Sequence, residues 1–315
     1  MTMFLFDTVL PLVQTFISYG LLLLLTVCFV SGADASKMSK DFSWQFRLAA
    51  ALRTPMLVFI VVPLSFVLNV YRKLRTMLRG RNLEKSAASH AARVQWVVDQ
   101  VVEWNKAGRP EKLRTARPNW QGMSIKLGSN KGAAHRIYTQ HLNHIIAVDT
   151  ENMTITAEPS VNMGDITNLL LPQNLALLCQ VEMESLTIGG LSMGLGMETN
   201  SHTVGWFQET VVAFEIVTAE PTPRVLKVTR ESDPDLFYTL PHSMGTLGFL
   251  VSVTVKLTRT KPFVRMKYIM TKSAQELCDK MTELGEADDK APQFLEATVY
   301  SKHTAVVQVG GISND

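Results

Sequence analysis

The sequence predicts an α+β protein preceded by an apolar N-terminal region. Three observations carry this prediction: an uncharged stretch over residues 8–33, a mixed succession of short strands and helices from residue 83 onward, and a glycine-rich stretch at Glu184–Gly205. Strands and helices in such a mixed order argue against the regular winding of parallel α/β proteins. With 315 residues, the chain can bury a sizeable core in one large domain or two smaller ones.

Composition excludes several classes of function. The formal net charge of +3 is too small to indicate a surface for nucleic acid, so no nucleic-acid partner is predicted. The three cysteines, Cys28, Cys179 and Cys278, lie far apart and outside any metal-binding pattern. The sequence therefore predicts neither a disulfide framework nor a metal site, and a reducing compartment is the simpler interpretation.

The first 75 residues are predicted to form a membrane anchor. Residues 11–30 supply the ~20 apolar residues that a bilayer-spanning helix needs. A second apolar run, residues 55–71, is short for a span and contains Pro63 and Asn69, so a second span, a re-entrant segment and a buried helix stay open. The small residues at Ala33–Ala35 leave a cleaved signal peptide as the alternative for the first run, although no basic residue precedes Lys37.

Basic residues crowd directly after the second apolar run. They are Arg72, Lys73, Arg75, Arg79, Arg81 and Lys85. A cluster of this kind marks the cytoplasmic side of a membrane and attracts anionic lipid headgroups. The remainder of the chain is therefore expected in the cytosol, with membrane lipid as one partner.

Residues 76–110 are predicted to be a linker built around one helix. Apolar residues recur between Leu83 and Ala107 at close to the helical period, and Gly108 and Pro110 end the pattern. We expect this helix to pack the membrane region onto the globular domain.

Short apolar runs between turn residues predict the elements of a globular domain over residues 111–261. The predicted strands are Ile145–Asp149, Thr154–Ala157, Ala176–Val181, Val211–Thr218, Val225–Val228 and Phe249–Leu257. The predicted short helices are Asp165–Leu171, stopped by Pro172, and Asp233–Thr239.

Residues 262–315 are predicted to begin a second layer after the boundary at Lys261–Pro262. Strand-like runs at Phe263–Ile269, Phe294–Tyr300 and Thr304–Val309 surround a helix at Ser273–Leu284, which is the β-α-β-β start of a ferredoxin-like layer. Because the sequence stops at Asp315, we expect Thr304–Val309 to be an exposed apolar edge.

The glycine-rich stretch is the strongest candidate for a binding site. Its five glycines are interleaved with apolar residues, and glycine allows positive φ and close approach of a ligand to the backbone. Successive free N–H groups in such a turn could hold an anion such as a phosphate. A tight, buried structural turn is the alternative. The spacing matches neither the dinucleotide fingerprint nor the P-loop.

This stretch resembles the FAD-binding segment of vanillyl-alcohol-oxidase-like (PCMH-type) flavoproteins, and in particular the Δ24-sterol reductase (diminuto/DWARF1/seladin-1) family. The motifs that carry the resemblance lie in order along residues 98–311: Arg117–Trp120, Ala157–Gly164, Leu186–Gly190 with Gly194, Gly196, His202 and Gly205, then Ala213–Val217, Ser232–Tyr238 and Gly245–Val251. The resemblance implies a two-subdomain FAD-binding fold with an incomplete ferredoxin-like cap. It also implies that the chain is C-terminally truncated.

The resemblance implies FAD as the cofactor, with NADPH as electron donor and a sterol as substrate. The glycine stretch would offer N–H groups to the pyrophosphate and a close backbone to the flavin ring. The cofactor-binding residues expected on this basis are Thr187, Ile188, Gly189, Gly190, Leu191, Ser192, Met193, Gly194, Leu195, Gly196, Met197, Glu198, Thr199, His202, Gly245 and Gly248. Residues 117–124, where relatives often attach flavin covalently, contain neither His nor Cys, so FAD is expected to be non-covalent.

The expected reaction is reduction of the C24 side-chain double bond of a sterol, with hydride delivered by the flavin and a proton by an acid that the sequence does not identify. The expected location is the endoplasmic reticulum membrane, and a homo-oligomer or association with other sterol-biosynthesis enzymes is expected. Two alternatives stay open: a sugar-lactone or polyol oxidase of the same superfamily, and an inactive membrane flavoprotein. Met183–Ser185 and His242 depart from the family pattern, which commonly has tryptophan at the latter position.

Overall fold

The computed structural model describes residues 53, 55–68, 70–71, 83–116, 134–243, 245–287 and 290–315. It divides after residue 75 into two compact units. The expected span at residues 11–30, the motif at Arg117–Trp120 and most of the basic cluster lie outside the described residues.

The described part of the first unit is helical. Residues 55–68 form a helix that contains a π-helical segment at Leu57–Val61. Its large apolar side chains are mostly exposed, with Phe59 and Phe66 the most open. Within the residues that the structure describes, no helix combines the length and the apolar character needed to cross a bilayer.

The second unit begins with the predicted linker helix, α1, at Leu83–Lys106, which confirms the helical period read from the sequence. Two short strands follow, β1 at Leu113–Thr115 and β2 at His135–Ile137, and they pair in parallel. Buried valines of α1 pack with Ile137, Leu142 and Phe249 in a small core of their own. Helix α1 is therefore part of the globular second unit.

An antiparallel sheet forms the centre of the described part of this unit. Its strands are β3 (Ile145–Asp149), β4 (Thr154–Ala157), β5 (Leu175–Leu177), β6 (Val211–Val217), β7 (Val225–Thr229) and β8 (Phe249–Arg259). The order is β3-β4-β8-β6-β7, and β5 pairs with the far end of β8. The predicted strand pair β3–β4 and the hairpin β6–β7 are both confirmed.

Short helices connect these strands. They are α2 (Met163–Leu170), α3 (Ile188–Met193), α4 (Ser201–Val204) and α5 (Pro234–Thr239), with 3-10 turns at Leu171–Gln173 and Phe207–Thr210. The structure starts α2 two residues before the predicted start, because the Asn162 side chain accepts a hydrogen bond from the Asp165 amide at 2.8 Å and caps the helix there. Asp233 caps α5 in the same way, and the predicted helix Asp233–Thr239 is confirmed to within one residue.

The predicted strand Ala176–Val181 is wrong over its second half. The ladder continues only to the Leu178 amide, which donates to Lys256 O at 3.1 Å. The Leu178 carbonyl accepts instead from Asn200 Nδ2 at 2.8 Å. A side chain thus replaces the neighbouring strand, and the regular strand ends.

The last segment contains β9 (Phe263–Thr271), α6 (Ala274–Gly285), β10 (Phe294–Ser301) and β11 (Thr304–Ser313), in the predicted β-α-β-β order. Its sheet order is β10-β11-β9, so the expectation that Thr304–Val309 forms an exposed edge is wrong. β11 pairs antiparallel with both neighbours, because the hairpin sets it beside β10 and the helical crossover brings β9 to its other side. The two outer strands carry the exposed apolar residues, among them Tyr268 and Tyr300.

The main core lies between the central sheet and helices α2, α3 and α5. Its members include the fully buried Ile155, Ile166, Ile188, Phe207, Phe214 and Val253. The glycine-rich stretch is thus built into the core on one side, which fixes the position of the candidate site.

Candidate cofactor site

The centre of the predicted site is a helix, whereas the sequence predicts a turn. Thr187 caps α3 by accepting a hydrogen bond from the Gly190 amide at 3.3 Å. The Gly189 amide donates to Pro159 O at 3.1 Å. These N–H groups already have acceptors within the protein, so the expectation of a row of free N–H groups for an anion is wrong at Gly189 and Gly190.

The glycines serve close packing here and not positive φ. An added Cβ on Gly189 would lie 2.5 Å from Pro159 Cβ, and one on Gly196 would lie 2.7 Å from Phe207 Cβ. In the described residues, no glycine between Gly189 and Gly196 has positive φ. The alternative interpretation, a tightly packed structural segment, is thus correct for these two positions.

The predicted cofactor residues divide into a buried and an accessible group. Buried residues are Ile188, Gly189, Leu191, Ser192, Met193, Gly196 and Gly248. At least partly accessible residues are Thr187, Gly190, Gly194, Leu195, Met197, Glu198, Thr199, His202 and Gly245. Leu195 and Met197 are apolar but 53% and 68% exposed. They are available to an apolar ring.

Two polar side chains among the predicted cofactor residues have hydrogen-bond partners inside the protein. The buried Ser192 hydroxyl donates to Ile188 O at 2.8 Å. A ring nitrogen of His202 lies 2.8 Å from Pro292 O, so this histidine ties α4 to the last segment of the chain. The expectation that Ser192 donates to a cofactor is therefore wrong for the conformation described.

The second predicted segment, which contains Gly245 and Gly248, forms a turn. Gly245 has φ +77°, and the Thr246 amide and hydroxyl both donate to Ser243 O, at 3.0 and 2.7 Å. Gly248 directly precedes β8, and an added Cβ on it would lie 2.9 Å from the carbonyl oxygen of Val217, the last residue of β6. Glycine is thus required at both ends of this turn.

The structure brings the two predicted segments together through one side chain. Phe207 N donates to Gly196 O at 2.8 Å, and the next residue, Gln208, reaches His242 with 3.2 Å between Nε2 atoms. Gln208 Oε1 and Ser243 Oγ are buried without hydrogen-bond partners among the described residues. A site that offers both unpartnered polar atoms and exposed apolar side chains fits a ligand that is part polar and part apolar, as FAD is.

A cluster of charged side chains lies next to this site. Glu158 is fully buried and accepts hydrogen bonds from His90 Nδ1 (2.7 Å) and Arg93 Nε (2.6 Å), and its other oxygen accepts from His144. Burial raises the pKa of Glu158, but the hydrogen bonds from His144, His90 and Arg93 outweigh it and lower the pKa to about 2. The residue after Glu158 is Pro159, the contact of Gly189.

His90 lies between two carboxylates. Its second ring nitrogen is 2.9 Å from Glu215 Oε2, which also accepts from Ser252 at 2.8 Å. Burial lowers the pKa of His90, but the hydrogen bonds to Glu158 and Glu215 outweigh it and raise the pKa to about 9. His90 is thus an imidazolium cation near neutral pH.

Sequence reasoning missed both Gln208 and the partners of Glu158. Glu158 is 68 residues from His90 and 65 from Arg93, so no local pattern connects them. Gln208 follows the glycine stretch without any motif of its own. The one available signal is His242, a polar residue where the resembling family commonly has tryptophan.

Comparison with known proteins identifies similar sequences. A family model described as an FAD binding domain matches residues 97–227. The Δ24-sterol reductase of Pisum sativum is 34% identical over 266 residues, which cover 81% of this chain and 46% of that protein. A Δ24-sterol reductase homolog of Caenorhabditis elegans is 32% identical over 267 residues, covering 82% and 51%.

The fold has a solved counterpart. The structure of an alkyldihydroxyacetonephosphate synthase superposes with a TM-score of 0.54 at 15% identity, covering 67% of this chain and 44% of that one. The chain spans about half the length of the curated relatives it matches. Motif order, domain match and relatives all agree, and the chain therefore belongs to the family of FAD-binding proteins that contains the Δ24-sterol reductases.

Proposed function

We propose that the chain acts as an FAD-dependent Δ24-sterol reductase, with NADPH as electron donor. The observation that carries this proposal is the identity of 32–34% to proteins of that name over about four fifths of the chain. The sterol would be reduced at the double bond of its side chain. The same similarity favours this substrate over a sugar lactone or polyol.

The accessible residues of the site support an FAD contact. When bound, FAD supplies the hydride transfer that no amino-acid side chain can perform. Leu195 and Met197 offer exposed apolar surface to the ring, and Gln208 and Ser243 offer unpartnered polar atoms. Gly190 and Gly245 are exposed and let a ligand approach the backbone closely.

We propose the endoplasmic reticulum membrane as the location, with the second unit facing the cytosol. The support for a membrane location is the apolar sequence of residues 11–30 and the exposed apolar helix of the first unit. The support for the orientation is the basic cluster that begins at Arg72. Exposed Phe59 and Phe66 would contact lipid. Membrane lipid, a second copy of the chain and other sterol-biosynthesis enzymes are the proposed partners.

The function is tested on the full chain purified in detergent. A flavin absorbance spectrum should accompany the protein and bleach when NADPH is added without oxygen. A sterol with a Δ24 double bond should then restore the oxidised spectrum and yield the saturated side chain by mass spectrometry.

Three results would decide against this proposal. Oxygen consumption with a sugar lactone, without sterol reduction, would assign the oxidase alternative. Bound flavin that NADPH cannot reduce would indicate an inactive flavoprotein. A chain that folds but takes up no FAD would contradict the cofactor itself.

A further inference from the structure

One side chain joins the two segments that contact the cofactor in the proposed function. Gln208 lies in the 3-10 turn Phe207–Thr210 and is 6% exposed. The backbone amide of the preceding residue, Phe207, donates a hydrogen bond to Gly196 O. The side chain of Gln208 forms a hydrogen bond with His242. Gln208 therefore occupies the junction between the glycine-rich stretch and the turn that ends at Gly248.

One end of the Gln208 side-chain amide has no hydrogen-bond partner among the described residues. Its Nε2 group donates to His242 Nε2 at 3.2 Å, which requires that this ring nitrogen carries no proton. Its Oε1 atom is buried and has no partner among the described residues. A buried carbonyl left in this state is costly, since it loses water without gaining a donor. A glutamine rotated by 180° would instead leave its NH₂ group unmatched.

The neighbouring backbone is held in an uncommon conformation. His242 has φ +63°, in the left-handed region that non-glycine residues rarely adopt. The hydrogen bonds from Ser243 N to Leu240 O (3.1 Å) and from Thr246 N to Ser243 O (3.0 Å) fix it there. The Ser243 hydroxyl beside it is also buried and without a partner in the described part of the chain. Strain retained in this way tends to occur where a ligand is bound.

The unmatched atoms indicate the kind of group that they bind. A carbonyl oxygen requires a donor, and a serine hydroxyl can donate or accept. A pyrophosphate offers acceptors alone near neutral pH, so it would match only the rotated NH₂ group and not Gln208 Oε1. The ribityl hydroxyls of FAD can donate or accept, so they match either orientation of the amide. The ribose hydroxyls of the adenosine half share this chemistry, so the choice between the two halves depends on the apolar surroundings. Leu195 is an exposed apolar residue next to Gly196, whose carbonyl accepts from Phe207 N, and it favours the apolar flavin half over the adenosine half.

We infer that Gln208 and Ser243, with His242 orienting the glutamine amide, form a hydrogen-bonding subsite for the ribityl-flavin half of FAD. This inference rests on the proposed FAD cofactor. It assigns Gln208 a direct contact with the cofactor and His242 a positioning role through Gln208.

The test uses calorimetric titration of the full chain, freed of flavin, in detergent. The probes are FAD and ADP, which share the adenosine and pyrophosphate but differ in the flavin half. Gln208→Leu removes the carbonyl at similar size and should weaken FAD binding by about tenfold, as expected for one buried hydrogen bond, while ADP binding stays unchanged. Gln208→Glu keeps an acceptor and should recover most of the affinity. Gln173→Leu, at an exposed glutamine of another 3-10 turn, is the matched control.

Each outcome separates the inference from the function that it rests on. A wild-type chain that folds without binding FAD would contradict the proposed cofactor. Unchanged FAD affinity in Gln208→Leu would show that buried water satisfies the carbonyl. Equal losses of affinity for FAD and ADP would assign the contact to the adenosine-pyrophosphate half. Either result overturns the subsite. If circular dichroism shows that Gln208→Leu does not fold, Ser243→Ala decides: weaker FAD binding supports the subsite and unchanged binding overturns it.

Discussion

His90 and Glu158 are joined by a hydrogen bond of 2.7 Å between Nδ1 and Oε1, although 68 residues separate them. Because His90 lies on α1 and Glu158 directly follows β4, this bond ties the linker helix to the central sheet. Pro159 comes next in the chain and receives the amide of Gly189. The charged cluster therefore also fixes the surface on which the glycine-rich helix begins.

We predict that Glu158→Gln destabilises the second unit by about 3 kcal/mol. Neutralising a fully buried carboxylate leaves His90 and Arg93 as charges without their counterion, and breaking a buried ion pair costs about 3–5 kcal/mol. We take the lower end because His90 also contacts Glu215. Urea denaturation followed by circular dichroism measures the change.

Glu220→Gln is the matched control for this substitution. Its partner Arg224 lies 2.7 Å away, but both side chains are largely exposed, and water and salt screen such a pair so that it contributes little to stability. If both variants lose stability equally, the buried cluster has no special role in holding α1.

The same cluster predicts how stability depends on pH. The pKa of His90 rises from 6.5 to about 9 on folding, so its contribution is complete below pH 6.5 and is lost as pH rises from 6.5 through 9. The pKa of Glu158 falls from 4.5 to about 2, so its contribution is complete above pH 4.5 and is lost as pH falls from 4.5 through 2. The combined contribution of His90 and Glu158 to stability should therefore be greatest between about pH 4.5 and 6.5.

Denaturant midpoints measured from pH 4 to 10 test this profile. In His90→Gln the decline above pH 6.5 should flatten, because glutamine does not titrate in this range. An alkaline decline of the same slope in wild type and variant would mean that another group causes it.

The sequence predicted most of the elements and missed the contacts that join them. The helix at Leu83–Lys106 and the hairpin at Val211–Thr229 follow from local periodicity and turn residues, which one sequence displays directly. The central position of β11 depends on pairing with β9 across an intervening helix, which no local pattern encodes. The expectation of free N–H groups at Gly189 and Gly190 was wrong for a related reason, because the neighbour that requires glycine at position 189 is Pro159, thirty residues earlier in the chain.

FAD is predicted to be released on denaturation. Residues 117–124 lack His and Cys, Cys179 is buried and His202 is bound to Pro292 O, so these positions offer no attachment residue to the flavin. Heating or acid precipitation of the purified protein should leave yellow, fluorescent FAD in the supernatant. Flavin that remains with the precipitated chain after washing in denaturant would contradict this prediction.

The last prediction separates two adjacent glycines. Gly189→Ala would place Cβ 2.5 Å from Pro159 Cβ and 2.9 Å from the Cα and carbonyl oxygen of Pro159. Two of these atoms belong to a backbone held by the neighbouring Glu158, so relief requires α3 to move. Overpacking of this kind costs about 1–3 kcal/mol, and we expect a lower urea midpoint together with weaker FAD binding.

Gly190→Ala is the natural control, since it adds the same atom one position later. Gly190 is exposed, lies within α3 and does not have positive φ, so alanine should keep the helix and increase stability by up to about 1 kcal/mol. FAD binding by the folded variant then reports on the cofactor alone. If Gly190→Ala loses much of its affinity for FAD at unchanged stability, the cofactor lies against Gly190. If both variants are equally destabilised, α3 tolerates no side chain at either position, and the contact with Pro159 is refuted as the specific cause of the instability of Gly189→Ala.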